Sequence, residues 1–277
     1  MLAALLVPAV SQAQTFTFTA IPDEDETRLV QRFTQVADYL KGKVGVDVKY
    51  IPVKSYEAAV TAFRNNQVQL AWFGGLSGVQ ARLLVPGAQA LAQGVEDTKF
   101  KSYFIAHVST GLDKMDKLGP ALAGKSFTFG SKGSTSGRLM PEFYLREAYG
   151  KSPEEVFSRV GFSGDHSKTI DLVESGAYEI GALNYEVWET EVSKGLVDTS
   201  KVKVIWVTPT YQDYQWTARG DLDKTYGAGF TAKLKAALVD LKDPAILKAF
   251  PRSEFIPASN DDYKAIAETA RKIGLID

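Results

Sequence analysis

Cysteine is absent from the 277 residues, and histidine occurs only at His107 and His166. The first absence excludes disulfides, thiolate nucleophiles and cysteine-based metal sites. The second excludes a centre built on several histidines. An excess of either charge is also missing, since 32 basic residues face 33 acidic ones for a net charge of −1. Nucleic-acid surfaces show as a clustered basic excess, so no nucleic-acid partner is expected. No apolar run is long enough to span a bilayer. The nearest, in "MLAALLVPAVSQAQTF", extends from Leu2 to Val10 and leads to small residues. It reads as a secretory leader, residues 1–13, cleaved after Ala13. The basic residues that usually begin a leader are missing, so the true start is expected upstream of Met1. A soluble, periplasmic protein is expected.

What is present is an α/β rhythm. Strand-like "TFTFTAIP" leads into acidic Asp23, Glu24, Asp25 and Glu26, where negative charge suits a helix start. Leu29, Phe33, Val36 and Leu40 then recur three or four apart, which predicts one buried helix face. Strand "VDVKYIPV", a helix capped by Ser55, strand "VQLAWFG", a short helix from Leu76 to Leu84 and strand "AQALAQG" follow. This alternation implies a parallel sheet wrapped by helices. A second unit repeats the rhythm from "KSFTFGS" through an amphipathic "SPEEVFSRV" and strand "YEIGAL" to "KVKVIWVTP". The final helices lack a sheet of their own and should pack on the first. The expected organisation is lobe 1 at 14–108 and 216–277 with lobe 2 at 109–215, joined by crossings near 105–110 and 212–217. A cleft between strand ends is where open α/β sheets bind ligands.

The chemistry concentrates in "FGSKGSTSGRLMP", Phe129 to Pro141. A hydrolase elbow would need serine at the centre of Gly-x-x-x-Gly, but Gly133 to Gly137 places Thr135 there. Gly-Lys-Ser/Thr of a nucleotide phosphate loop is missing, and no G-x-G-x-x-G opens a helix. A nucleophile would also need a base, and His166 is the one candidate. A strand, a glycine turn and a hydroxyl-rich helix start instead expose backbone N–H groups at a positive dipole end. Ser134, Thr135 and Ser136 can add hydroxyl donors for a tetrahedral oxyanion. A helix cap would account for one of these hydroxyls, not three.

"GSTSGRLMP", with "SYEAAVTAFRNNQVQLAWFGG" before it and "GDHSKTIDLVESGAYEIGAL" after it, resembles the periplasmic phosphonate/phosphite-binding receptors of ABC transporters. The similarity extends over nearly the whole chain after the leader. It implies a two-lobed periplasmic-binding-protein fold of type II, with two α/β sheets joined by a double crossover. It also implies a non-enzymatic receptor without a cofactor that hands its ligand to a membrane permease. Ser134, Thr135 and Ser136 match the family's oxyanion donors, and His166 matches a histidine that starts the next lobe-2 helix. Tyr56 and Tyr103 match tyrosines that reach the ligand, and Asp213 matches an acid at the return crossing. Some members carry a second carboxylate where this chain has Asn184 and Tyr185, with Glu186 beyond. That departure leaves the roles of Asn184 and Tyr185 open.

A carboxylate beside an anion suits a ligand that still carries a proton. Asp213 could accept the O–H of a phosphite or phosphonate monoanion and would repel fully ionised sulfate. Trp72, Tyr56, Tyr103, Tyr211 and Tyr214 could fill the space where an organic substituent or a fourth oxygen would sit. Phosphite is therefore the first expectation, with methylphosphonate or 2-aminoethylphosphonate second. A secreted phosphoester hydrolase is a further alternative, as is a sensor partner. The protein is expected to act as a monomer.

Overall fold

The strand alternation at the start of the chain does what it suggests. In this computed structural model, which describes residues 14–277, β1 (Phe16–Ala20) buries Phe16 and Phe18 completely. The expected leader, 1–13, lies outside the described residues. Helix α1 (Glu26–Val44) begins where Asp25 accepts the Arg28 N–H, and buries the predicted face of Leu29, Phe33, Val36 and Leu40. It ends at Gly45, whose φ of 81° is the left-handed conformation glycine adopts without strain. Next come β2 (Val48–Tyr50), α2 (Tyr56–Arg64), β3 (Leu70–Phe73), α3 (Gly75–Leu84) and β4 (Gln89–Gly94).

The chain then crosses to the second lobe. This contains β5 (Ser102–His107), β6 (Ser126–Phe129), a single π-helical turn at Thr135–Leu139 and α4 (Met140–Tyr149), which continues it. After these come α5 (Pro153–Val156), β7 (Arg159–Phe162), α6 (His166–Glu174), β8 (Ile180–Asn184), α7 (Tyr185–Ser193) and β9 (Val202–Val207). The return to lobe 1 adds β10 (Gln215–Ala218), α8 (Leu222–Tyr226), α9 (Phe230–Val239), α10 (Pro244–Ala249), β11 (Phe255–Pro257) and α11 (Lys264–Lys272).

Six strands form the first sheet in the order β11-β4-β10-β3-β1-β2, and five form the second as β7-β6-β8-β5-β9. This is the expected two-lobed α/β architecture, with three departures. The sheets are mixed rather than parallel, because β10 inserts antiparallel between β3 and β4 in the first and β5 runs antiparallel between β8 and β9 in the second. The segment "SPEEVFSRV" is helical only over α5; its end belongs to edge strand β7, paired in parallel with β6. The lobe boundary also lies earlier than residue 108, because β5 pairs with β8 and β9 of the second sheet.

The two crossings run antiparallel and pair with each other. Phe100 and Tyr211 exchange both backbone hydrogen bonds at 2.9 Å, and the Asp213 N–H donates to the Asp97 carbonyl at 3.0 Å. The lobes thus meet at a two-stranded neck, and Asp213 sits on it. Leu139 and Met140, from the start of the lobe-2 helix, pack into the core of lobe 1.

Candidate functional site

Right-handed β-α connections put the helix N-termini at the carboxyl ends of the parallel strands, and here those ends face the cleft. Tyr56 is the first residue of α2, Gly75 and Leu76 open α3, and His166 opens α6. Asn184 caps α7, and Ser134 caps the helix that begins at Thr135. Several positive dipole ends therefore converge on one space, an environment suited to an anion.

The hydroxyl run occupies the π turn, a form that recurs at functional sites. Ser134 Oγ accepts the Gly137 N–H at 2.9 Å, so one serine is indeed a helix cap. Thr135 Oγ1 accepts the Leu76 N–H across the cleft at 3.0 Å. The amides of Thr135 and Ser136 lie in the first turn, where the helix offers them no acceptor. Ser134 and Thr135 thus each have an oxygen lone pair satisfied by protein, and their hydroxyls lie beside Tyr56 and the Asp213 carboxyl respectively. Ser136 is fixed from behind: Tyr211 Oη lies 2.6 Å from Ser102 Oγ, which donates to the Ser136 carbonyl at 2.7 Å.

The buried polar atoms without a hydrogen-bond partner include Asp23 Oδ1, Tyr56 Oη, His166 Nε2 and Asp213 Oδ2, all from elements that meet at the junction of the lobes. Unpaired buried polar groups are costly, and such a group near others points to a guest that completes them. His166 is fully buried, and its Nδ1 accepts the Asn184 N–H at 3.3 Å. That bond leaves the ring proton on Nε2, and burial lowers the pKa to about 4, so His166 is a neutral donor at physiological pH. Burial likewise keeps the Tyr56 hydroxyl protonated, with both Asp23 and Asp213 adding to the effect.

Asp213 is nearly inaccessible. Its Oδ1 accepts the Gly75 N–H at 2.9 Å while Oδ2 stays free. Burial raises its pKa to about 7, against the lowering effect of the Gly75 N–H and the Thr135 hydroxyl. Near neutral pH the carboxyl can either donate a proton or accept one.

Asn184, Tyr214 and Asp23 form a relay. Asn184 Nδ2 donates to Tyr214 Oη at 3.1 Å, and that hydroxyl donates to Asp23 Oδ2 at 2.7 Å. Tyr214 has therefore spent its one proton, and Asn184 Oδ1 is occupied by the Glu186 and Val187 amides. These two residues position a neighbour, and the one side-chain donor they retain is the second Nδ2 hydrogen of Asn184.

The remaining aromatic expectations need revision. Trp72 stacks on Tyr214 at 5.5 Å and packs against Trp216, Phe250 and Phe255, so it backs Tyr214 from the core. It also lines, with Arg28, Lys194 and Lys248, a cavity of about 500 Å³ beside the site. Tyr103 does not join the cluster: it bonds Glu189 and packs against Tyr185. Alternate residues of a strand face opposite ways, and it is Ser102 that faces the turn. Tyr185 is half-buried beneath Lys101 and donates to Glu186. Tyr211 acts through Ser102.

Sequence reasoning passed over Asp23, reading it only as a charge at a helix start. Its place just beyond the carboxyl end of β1 was the available signal.

Further contacts cross between the lobes. The His166 N–H donates to the Asp23 carbonyl at 2.9 Å, and Arg28 reaches Glu191 at 2.6 Å. Arg252 takes Asp97 bidentately, at 2.6 and 2.8 Å, and extends its other arm to Glu186 of α7. Among the described residues, no group of three or more metal-ligating side chains is placed to hold an ion, and no helix is long and apolar enough to cross a membrane.

Comparison with known proteins bears on this geometry. The family described as the periplasmic substrate-binding protein of a phosphonate ABC transporter matches residues 18–263. The chain is 42% identical over 276 residues to PhnD1 of Prochlorococcus marinus, a probable phosphite-binding protein of an ABC transporter, covering 97% of this chain and 93% of that one. The structure of PhnD1 in complex with methylphosphonate superposes with a TM-score of 0.90, covering 95% of this chain and 99% of that one. A binding protein of an ABC phosphonate transporter from Pseudomonas aeruginosa, 20% identical, superposes at 0.81 over 93% of this chain and 85% of its own, which shows a shared fold.

Proposed function

Since the chain belongs to the family of periplasmic phosphonate-binding proteins of ABC transporters, which bind solutes and are not enzymes, we propose that it captures phosphite and delivers it to a membrane permease. The observation that carries this reading is the free Oδ2 of Asp213, buried among hydrogen-bond donors. An oxyanion that keeps one proton satisfies that oxygen and takes the donors with its remaining oxygens. Sulfate brings no proton and meets repulsion. The Thr135 and Ser136 amides, the hydroxyls of Ser134, Thr135 and Tyr56, and His166 Nε2 are the donors. Protein contacts bury Asp23 Oδ1, Tyr56 Oη, His166 Nε2 and Asp213 Oδ2, which favours a guest the size of a single phosphorus oxyanion.

Opening and closing would pivot on the neck between Phe100 and Tyr211, with the guest stabilising the closed form through contacts to both lobes. The protein would be exported, would act as a monomer and would need no cofactor. Methylphosphonate is the second reading, favoured by its presence in the PhnD1 structure.

Isothermal titration with phosphite, methylphosphonate, 2-aminoethylphosphonate, phosphate and sulfate tests the proposal. Phosphite is expected to bind most tightly and sulfate not at all. If no phosphorus oxyanion binds more tightly than roughly millimolar, the receptor reading is wrong.

A further inference from the structure

Asp23 stands at the junction of the lobes. It follows β1 and precedes α1; its carbonyl holds the first amide of α6, and its carboxylate receives the relay that begins at Asn184. All but 4% of its surface is buried. One oxygen is fixed by Tyr214, and the other has no partner. A relay that orients a carboxylate and leaves its second oxygen bare in a closed space is poor economy for a structural group, because an unpaired buried acceptor is destabilising. The arrangement suits a residue whose second oxygen is completed on binding.

Its backbone sets it beside the site already described, since its carbonyl accepts the amide of His166, whose Nε2 is unpaired, and it also lines the cavity shared with Arg28 and Lys248. Tyr56 feels the charges of both Asp23 and Asp213, Asp23 the more strongly, and Tyr214 feels the same two. The unpaired Tyr56 hydroxyl thus belongs to one cluster with the two carboxylates. Other groups face Asp23 from each neighbouring element. Glu24 adjoins it in sequence, Arg32 faces it from α1, Tyr50 from β2, Tyr56 from α2, Tyr214 from the return crossing and His166 from α6. Arg32 and Arg28 are both held by Glu24, which limits what either offers Asp23.

We infer that Asp23 is a specificity-determining residue of the binding site, its Oδ1 sharing with Asp213 Oδ2 the task of accepting hydrogen from a bound oxyanion. The inference rests on the proposed phosphite reading. A monoanion supplies one P–OH, which can satisfy one carboxylate. Two ionised carboxylates around it would leave the other facing an anion without a proton between them. Binding therefore takes a second proton from the buffer acid, and that proton lies between a carboxyl oxygen and a ligand oxygen in the complex. Burial and the neighbouring Glu24 push the Asp23 carboxyl up to about 6, so the proton is within reach near neutral pH. The site is set to count protons on its guest, and a fully ionised tetrahedral anion fails against both carboxylates.

The test measures proton uptake on phosphite binding, by titration calorimetry near pH 7.5 in buffers of different ionisation enthalpy. Wild-type protein is compared with Asp23→Asn and Tyr214→Phe. Asp23→Asn is expected to take up roughly one proton fewer and to flatten the fall of log affinity with pH by about one unit per pH unit. Tyr214→Phe keeps the carboxylate and is expected to keep the uptake, although its affinity falls. Equal uptake by wild type and Asp23→Asn overturns the inference while leaving the receptor reading intact. Equal losses in Asp23→Asn and Tyr214→Phe also overturn it, because the effect would then be positional. Absence of phosphite binding in the wild type overturns both readings. Should Asp23→Asn fail to fold, the Asp23 carboxyl carbon resonance of labelled wild type gives the answer. It is expected to move towards its protonated position on phosphite addition, and an unmoved resonance contradicts the inference.

Discussion

Leu76 and Thr135, 59 positions apart, are joined across the cleft by one hydrogen bond, in which the first turn of α3 donates to a hydroxyl on the opposite lobe at 3.0 Å. The preceding amide, Gly75, donates to Asp213 on the neck. One helix start thus fixes both a hydroxyl and a carboxyl of the site, and the bond to Thr135 can form only when the lobes are together. Thr135→Val preserves shape but removes the acceptor and the donor. It should weaken phosphite binding by about 3 kcal/mol, roughly a hundredfold, whereas Thr135→Ser should lose far less. Calorimetric affinities of the two variants provide the check, and equal losses would remove the hydroxyl from the account.

Asp213 makes the ligand-free protein sensitive to pH. Its pKa in the folded state, about 7, lies above the ordinary 3.8, so protonation favours the folded closed form. That contribution is complete below about pH 4 and is lost as the pH rises through 7. Ligand-free wild type should melt lower at pH 8 than at pH 5, with a shift of roughly 2–4 °C for each kcal/mol lost. Asp213→Asn should flatten this part of the profile and should weaken the exclusion of sulfate, which Asp23 alone then opposes. Melting curves across that range, with sulfate titrations beside them, decide the matter.

Gly137 holds the turn against its neighbours. A Cβ there would lie 3.0 Å from His166 Cε1 and 3.1 Å from both the Gly130 Cα and Ser134 Oγ. It would push on the ring proposed to donate to the ligand, on the cap, and on a backbone with little freedom to move. Gly137→Ala should therefore lower phosphite affinity by at least about tenfold, a cost of some 1.4 kcal/mol, with the fold retained. Circular dichroism and titration of the variant test this, and unchanged affinity would mean the turn does not position His166.

The turn that carries Ser134, Thr135 and Ser136 was legible because its parts are contiguous: strand, glycine turn and helix start follow one another within Phe129 to Pro141. Helix faces such as Leu29 to Leu40 were legible for the same reason. Pairings between distant strands were not. The antiparallel insertion of β10 depends on where the returning chain finds an open edge, which no local pattern records. Tyr103 failed by one residue of register, as Ser102 faces the turn and Tyr103 the opposite side. Asp23 was hidden by its neighbours, because an acid among four acids at a helix start has a sufficient local explanation. Tyr214 and Asn184 were expected to touch the ligand; their hydrogen bonds run instead to one another and on to Asp23.

Arg252 ties the lobes together beside the site. It is buried, takes Asp97 with two bonds, and meets Glu186 from lobe 2. Arg252→Ala would leave two buried carboxylates without their cation, which should destabilise the closed protein by about 3–5 kcal/mol. Arg252→Lys should recover only part, since an ammonium cannot serve Asp97 bidentately. Urea denaturation of both variants measures this, and a loss below about 1 kcal/mol for Arg252→Ala would show the network to be of little consequence.

The central claim is that a protonated phosphorus oxyanion lies between the Ser134–Ser136 turn and the Asp213 carboxyl, enclosed by both lobes. The most direct measurement is a crystal structure of the protein with phosphite. The account predicts phosphite oxygens within hydrogen-bond distance of the Thr135 and Ser136 amides, Tyr56 Oη and His166 Nε2, and one oxygen against Asp213 Oδ2. Phosphite bound instead in the neighbouring cavity beside Arg28 and Lys248, with Asp213 Oδ2 still unpaired, would contradict it.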